Sequence, residues 1–344
     1  MIEPFDVDIV VLWVDGADPK WQEEKRKYQE KQGIYVSRES NTAARYRDWG
    51  LMKYWFRGIE TFAPWARTVH FVTYGHLPDF LKTDAPKLHI VNHRDYLPSE
   101  FLPLFNSRAL EINLHRIPGL ADRFVYFNDD MFLLQKTKQS DFFDRKTGLP
   151  KLHYVECPLR LRGTLDAEYM TLVNTMGLIN KNISKKSVPL RSYFGKQVSF
   201  QNPPIQNIRN LAMKILYPEY YTGFKIFHEP GNFMRSTFLE VWWTEPSMMN
   251  ETSRHRFREL RDLNQWTLLL WQEARGKFSP GKSDNYLVDI SEQEIGNICR
   301  VIQNQEHKMI CVNDEIGEGD FEMLAGKLQN AFETILPNKS SFEK

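Results

Sequence analysis

Apolar positions in this chain follow two rhythms, and the alternation between them gives the architecture. Val7 to Val14 (VDIVVLWV) is an almost unbroken apolar run rich in valine, as expected of a strand covered on both faces of a parallel sheet. Asp15-Gly16 ends it, Asp18-Pro19 supplies an N-cap and a proline for the first helical turn, and the charged stretch to Gln32 predicts a helix closed at Gly33. Leu51, Trp55, Ile59 and Phe62 recur at steps of four and three, so Arg47 to Phe62 reads as an amphipathic helix. Thr68–Tyr74, Leu88–Asn92 and Arg123–Phe127 read as further strands, with a helix predicted from Ser107 to Ile117.

From about Asp141 to Phe224 the rhythm weakens, with strand-like residues near Leu152–Val155 and helical pieces at Ala167–Ile179 and Ile205–Tyr217. Order returns with helices predicted at Phe233–Trp243, Arg256–Arg275, Glu292–Gln303 and Phe321–Leu336, and a strand at Met309–Val312. Strands alternating with helices predict an α/β fold, a Rossmann-like mainly parallel sheet flanked by helices, with a less regular inserted segment. The organisation expected is a half over 1–140, an insertion over 141–224 that lies across the sheet edge, and a helical half over 225–344 that completes the core.

Composition narrows the function classes. The 344 residues are 42% hydrophobic and 26% charged, ordinary for a globular chain. With 45 Lys+Arg against 44 Asp+Glu there is no global basic field, so nucleic acid is not an expected partner. Three cysteines without CxxC spacing suggest neither a disulfide framework nor a zinc knuckle. The start of the chain lacks the basic n-region and apolar stretch of a secretory signal, and no apolar run reaches the length of a membrane span, so the expected location is the cytoplasm. The 13% aromatic content suits both sugar-handling surfaces and large cores.

In open α/β sheets ligands bind beyond the carboxyl ends of the strands, which directs attention to polar residues just after apolar runs. Asp15 and Asp18 follow the first strand; Asn128, Asp129 and Asp130 follow Arg123–Phe127; Asn313 and Asp314 follow Met309–Val312. Adjacent carboxylates at such a place suit a hard divalent cation, although a turn or an N-cap explains a lone aspartate equally well. His228 precedes a segment carrying Arg235 and has the makings of a general base. Arg254, Arg256, Arg258 and Arg261, with His255, form a basic run that is either a solvated face or, if close to the acidic residues, a phosphate clamp.

These residues resemble the conserved blocks of the Stealth family, the bacterial capsular polysaccharide phosphotransferases related to the animal lysosomal-enzyme N-acetylglucosamine-1-phosphotransferase. Asp8-Ile9-Val10-Val11-Leu12-Trp13-Val14-Asp15-Gly16-Ala17-Asp18-Pro19 is similar to the opening block. A longer block is similar to Arg45-Tyr46-Arg47-Asp48, Phe105-Asn106-Ser107, Leu114-His115-Arg116 and Tyr126-Phe127-Asn128-Asp129-Asp130. His228-Glu229-Pro230 with Arg235 and the run to Arg258 resemble a third, and Ile310-Cys311-Val312-Asn313-Asp314 a fourth. Departures at Leu12, Tyr74 and Glu229 bear on substrate preference, and Asp141–Phe224 matches no block.

The resemblance implies transfer of a sugar 1-phosphate from a nucleotide diphosphate sugar, a UDP-sugar such as UDP-GlcNAc, to a hydroxyl of a glycan or capsular polysaccharide acceptor, with release of nucleoside monophosphate. It implies His228, Asp130, Arg235, Arg258 and Asp314 as catalytic, with Mg2+ or Mn2+ on Asp129, Asp130 and Asp314. Trp13, Asp15, Asp18, Arg45, Asp48, Asn106, Ser107, His115, Asn128 and Asn313 are then expected around the substrates. A metal-dependent glycosyltransferase using the same donor and releasing nucleoside diphosphate is the alternative. Lys181, Lys185, Lys186, Arg191 and Lys196, beside the amphipathic stretch Ile205–Tyr217, give the insertion an expected contact with the inner face of the membrane or with a charged polymer.

Overall fold

The computed structural model describes residues 5–32, 48–159, 166–314 and 321–344. Its central sheet runs in the order β3 (Leu88–Asn92), β2 (Val69–Thr73), β1 (Asp8–Trp13), β4 (Arg123–Phe127) and β7 (Gly231–Met234). The first four strands are parallel, and β7 is antiparallel to β4 at the edge. Because side chains alternate along a strand, β1 feeds two cores. Ile9, Val11 and Trp13 pack with α2 (Met52–Phe62), α12 (Ile295–Gln303) and α13 (Phe321–Ile335). Val10 joins Phe124 and Tyr126 in the opposite layer, with α9 (Arg235–Thr244) and α11 (Gln265–Ala274). Ile9, Val10 and Val11 have no exposed surface, which is why the run contains almost no polar residue. Each such side chain contributes about 1.5–3 kcal/mol on burial.

A second sheet holds β5 (Met131–Leu133), β10 (Met309–Asn313) and β9 (Asn285–Asp289), with β10 antiparallel to β5 and parallel to β9. Two-residue strands β6 (Lys151–Leu152) and β8 (Ser279–Pro280) pair in parallel. The remaining helices are α1 (Pro19–Gln32), α3 (His93–Tyr96), α4 (Ser107–Glu111), α5 (Gln139–Phe142), α6 (Ala167–Asn182), α7 (Leu190–Tyr193), α8 (Pro204–Leu216) and α10 (Pro246–Arg254). The segment 141–224 shares the second core: Tyr154, Met176 and Ile179 pack in the same cluster as Leu268 and Trp271. No helix among the described residues is long and apolar enough to cross a membrane.

Several elements differ from the sequence expectation, among them the helix read from Arg47, which begins at Met52. The helix read from Ser107 stops at Glu111, and Leu114–Arg116 is a separate 3-10 turn. Phe233 and Met234 belong to the strand Gly231–Met234 rather than to the helix, which begins at Arg235. The basic run is not a helix start: residues 255–264 form a loop between α10 and α11, held by Asp262, whose carboxylate accepts from Asn106 Nδ2 at 2.9 Å and contacts His255 Nδ1 at 2.7 Å. Asn264 then caps α11 by accepting from Trp266 N at 3.0 Å.

Candidate active site

Strand pairing gathers three distant segments at the carboxyl edge of β4. Asn128-Asp129-Asp130 turns the chain from β4 into β5. Since Met131 opposes Cys311 and Val312 N donates to Asp130 O at 3.0 Å, β10 carries Asn313 and Asp314 to the same turn. Since Gly231 opposes Tyr126, the residues just before β7 return there too, bringing His228.

His228 Nε2 lies 3.9 Å from Asp130 Oδ2 and 3.4 Å from Asn128 Nδ2, whose Oδ1 accepts from Gln265 Nε2 at 3.5 Å. Burial lowers the His228 pKa below its usual 6.5, against the opposing pull of Glu168 and Asp289, so the ring is neutral at pH 7 and can accept a proton. Asp129 is pushed up to about 7, first by burial and then by Asp130, although its side chain still meets water in the cleft. Burial pushes Asp130 up to about 6, partly offset by a hydrogen bond from the Cys311 thiol. The Cys311 thiol is itself raised by burial and by Asp130.

A divalent cation fits this arrangement. Asp130 Oδ1 is buried without a hydrogen-bond partner, and what lowers the two carboxylates is backbone amides and a thiol rather than a cationic side chain. A carboxylate oxygen removed from water, as Asp130 Oδ1 is, beside a second carboxylate is costly unless a cation or a proton joins it. Asp130, His228 and Cys311 place potential ligand atoms within 4.8 Å of one another. Among the described residues that group holds one carboxylate, one imidazole and one thiol, and the thiol is held protonated; Asp129 and Asp314, also expected as ligands, fall outside it, so the hard-cation character rests on Asp130.

Beside the carboxylates opens a cleft of about 210 Å³, lined by Trp13, Trp21, Phe105, Ser107, Asn128, Asp129 and Arg258 among others. Its position is fixed from both sides. Phe257 stacks on Phe105 at 5.4 Å between ring centroids, and Asn106 Nδ2 reaches the Phe257 carbonyl at 3.3 Å, so the next residue, Arg258, is aimed at Ser107, to whose Oγ it donates at 3.0 Å. Glu111, held above the usual carboxylate range by burial, closes the floor and accepts from Gln265 N at 3.1 Å.

The other expected residues divide into supports and outliers. Asp18 Oδ1 accepts from Trp21 N at 2.7 Å and Asp15 Oδ1 from Ala17 N at 2.9 Å, so both order the turn into α1. Asn106 is fully buried and anchors the loop bearing Arg258. Asp48 accepts from Gly50 N at 2.7 Å and lies close enough to raise the Asp129 pKa. Asp314 accepts from Trp49 Nε1 at 2.9 Å, and Asn313 donates to Asp289 at 2.9 Å. Arg45 lies outside the described residues.

Arg235 and His115 are corrections. β7 runs antiparallel to β4, so its four residues carry the chain about 13 Å away from the carboxyl edge and leave Arg235 at the amino edge, where its N–H bonds Asp122 O. Its guanidinium donates to His115 O at 2.9 Å. His115 sits in the 3-10 turn with its ring against Phe238 and Trp242, and burial, with Arg116 and Arg235, pushes it down to about 3. Of the basic run only Arg258 lines the cleft; Arg256 donates to Leu102 O at 3.2 Å and Arg261 pairs with Glu251. His255 is engaged by Asp262.

Cys311, Gln265, Glu111 and Trp49 complete the site and were not expected there. Cys311 had one available signal: in the alternating strand Met309–Asn313 it faces opposite to Ile310 and Val312. Gln265 and Glu111 gave none, because contacts across 154 residues are not written in local periodicity.

Two family models match, Stealth protein conserved region 1 over residues 5–33 and conserved region 2 over residues 45–151. An exopolysaccharide phosphotransferase of Lactiplantibacillus plantarum is 38% identical, covering 99% of this chain and 97% of its own length. A capsular polysaccharide phosphotransferase of Streptococcus pneumoniae is 36% identical, covering 98% of each chain. A receptor polysaccharide phosphotransferase of Streptococcus oralis is 34% identical over 98% of this chain and 99% of its own. Among solved structures, mouse xyloside xylosyltransferase 1 in its apo form aligns with 92% of this chain and 99% of that chain at 11% identity, with a TM-score of 0.33, too distant to argue from. With full-length identity of this order and both family regions containing residues of the cleft and the acidic turn, the chain belongs to the Stealth family and is a transferase enzyme.

Proposed function

We propose that the chain transfers a sugar 1-phosphate from a nucleoside diphosphate sugar to a hydroxyl of a polysaccharide acceptor. The observation that carries the reading is a neutral, half-buried His228 within 3.9 Å of the Asp130 carboxylate and 3.4 Å from Asn128, which lines the cleft that has Arg258 on its wall. The full-length relatives named as polysaccharide phosphotransferases support the same reaction class.

Each residue then has a defined task. His228 Nε2 takes the proton of the acceptor hydroxyl as its oxygen bonds the phosphorus attached to the sugar; the bond from that phosphorus to the bridging oxygen breaks, and nucleoside monophosphate leaves with the electron pair. Asn128, bonded to Gln265, holds the edge of the imidazole. Asp130 with Asp129 would hold the divalent cation, with Asp314 and Asn313 at the same strand end. When bound, that cation neutralises diphosphate charge and assists the leaving group. Arg258, fixed by Ser107, supplies a planar donor fork for phosphoryl oxygens, and Trp13, Trp21 and Phe105 offer aromatic surface for the nucleoside or sugar. The anomeric C–O bond is untouched, so donor configuration is retained.

The test is a panel of nucleoside diphosphate sugars incubated with divalent cation and polysaccharide acceptor, followed by identification of the released nucleotide. Nucleoside monophosphate formed in step with acceptor modification is the expected result. Nucleoside diphosphate instead would replace this reading with glycosyl transfer at the same cleft.

A further inference from the structure

The outward side of α8 is apolar where its inward side is polar, the reverse of an ordinary surface helix. Inward, Gln206 Nε2 donates to Tyr154 O at 2.6 Å and Asn210 Nδ2 to Gln197 O at 2.7 Å. Outward, Ile205, Ile208, Ile215 and Leu216 are 68, 65, 65 and 69% exposed. At 100° per residue these four and the exposed Arg209 fall within about a third of the helix circumference. Phe194 and Phe200, in the preceding segment, are exposed as well. Single exposed isoleucines need no explanation, but a grouped stripe marks a contact surface.

We infer that this stripe seats the enzyme on an anionic lipid bilayer. Charge decides between occupants. From Lys181 to Pro218 the sequence has seven Lys or Arg and no Asp or Glu. Lys185 is turned inward onto Glu156, and Lys181 and Lys186 pair with Glu245 and Glu219, but Arg191 and Arg209 are exposed, and neither forms an ion pair with a described residue. A second copy of this surface would bring like charges together, whereas a soluble polyanion would gain nothing from the isoleucines. An anionic bilayer accepts both, with apolar side chains below the headgroups and arginines at them. The seat is linked to the chemistry through two side chains: Gln206 Oε1 lies 2.9 Å from His153 Nε2, and the His153 ring stacks at 4.4 Å on Phe227, the neighbour of His228. A bilayer-bound α8 therefore fixes the orientation of the segment bearing His228 relative to the membrane.

The test is sedimentation of the full chain with phosphatidylcholine vesicles and with vesicles that also contain phosphatidylglycerol. The expected result is pelleting with the anionic vesicles, at least about tenfold above the neutral ones, weakening as salt screens the arginines. The Ile205→Ser/Ile208→Ser/Ile215→Ser variant, shown folded by circular dichroism, should lose this binding, and the Arg191→Gln/Arg209→Gln variant should lose the preference for anionic lipid. No pelleting of the wild type, or equal pelleting of the serine variant, would overturn the inference. So would a wild-type dimer that the serine variant dissolves while neither protein binds vesicles.

Discussion

At the amino edge of the central sheet, Asp8 is fully buried yet takes two hydrogen bonds from Arg67, at 2.8 and 2.6 Å, one from Ala121 N at 2.7 Å and a contact from His70 Nε2 at 2.9 Å. Burial alone would raise its pKa, but His70 and Arg67 outweigh it and hold the carboxyl below the usual range. At the carboxyl edge, Asp129 and Asp130 stand side by side, are pushed up to about 7 and about 6, and leave Asp130 Oδ1 without a partner. Similar side chains are thus closed into a network at one end and left incomplete at the other. The closed network stabilises; the incomplete one costs stability until something from outside the chain completes it, which marks it as the functional end.

The largest effects should come from breaking the incomplete edge. His228→Ala should lower turnover about 10²–10⁴-fold with little change in donor affinity, measured by steady-state kinetics and by donor titration. Normal saturated turnover with weakened donor binding would instead make His228 a binding residue. Asp130→Asn should lower turnover by about a hundredfold or more. The same exchange should stabilise the metal-free protein at pH 8 by roughly 1–3 kcal/mol in urea unfolding, because it removes a poorly solvated charge.

The sign of the pH dependence follows from the same carboxylates. A folded-state pKa raised from 3.8 to about 6 or 7 means that the metal-free protein loses stability as pH rises through that window, the reverse of Asp8, whose contribution is present above 3.8 and lost as pH falls through its lowered folded value. Adding Mn2+ at pH 6.5 should therefore release protons, chiefly from Asp129, measured in weakly buffered solution, and Asp130→Asn should abolish most of the release by abolishing metal binding. Activity should fall on the acid side as His228 and the carboxylates become protonated.

Smaller effects test the rest of the comparison. Arg258→Ala should lower kcat/KM about 10–100-fold, with only partial recovery in Arg258→Lys, since lysine lacks the planar fork. Arg235→Ala, at the closed edge, should leave the turnover of folded enzyme within about twofold of wild type while costing about 1–2 kcal/mol of stability through its lost bond to His115 O. A turnover defect at Arg235 as deep as that at Arg258 would contradict the separation of the two edges.

What the sequence revealed, it revealed through burial. β1, β2 and β4 were legible because continuous apolar runs have few alternatives, and the rule that ligands sit beyond strand ends drew attention to Asn128, Asp129 and Asp130. Of the second sheet only β10 was legible, as an apolar run: β9 is largely open to solvent and β5 has three residues, too few for a period. Arg235 was misplaced because Gly231 and Asn232 read as a turn and Phe233 and Met234 as the start of its helix, whereas an antiparallel edge strand over Gly231–Met234 carries the chain to the far end of the sheet. The loop over 255–264 imitated helical spacing, and long-range bonds to it, from Phe105 N to Arg256 O and from Asn106 to Phe257 O and Asp262, show why it is not a helix.

The proposed bond change at the carboxyl edge can be read directly by phosphorus NMR of the polysaccharide product. A phosphodiester joining donor sugar to acceptor, formed by wild type and absent with Asp130→Asn and His228→Ala, is the predicted result. A product without phosphorus, made at the same residues, would contradict phosphoryl transfer and assign this site to attack at the anomeric carbon.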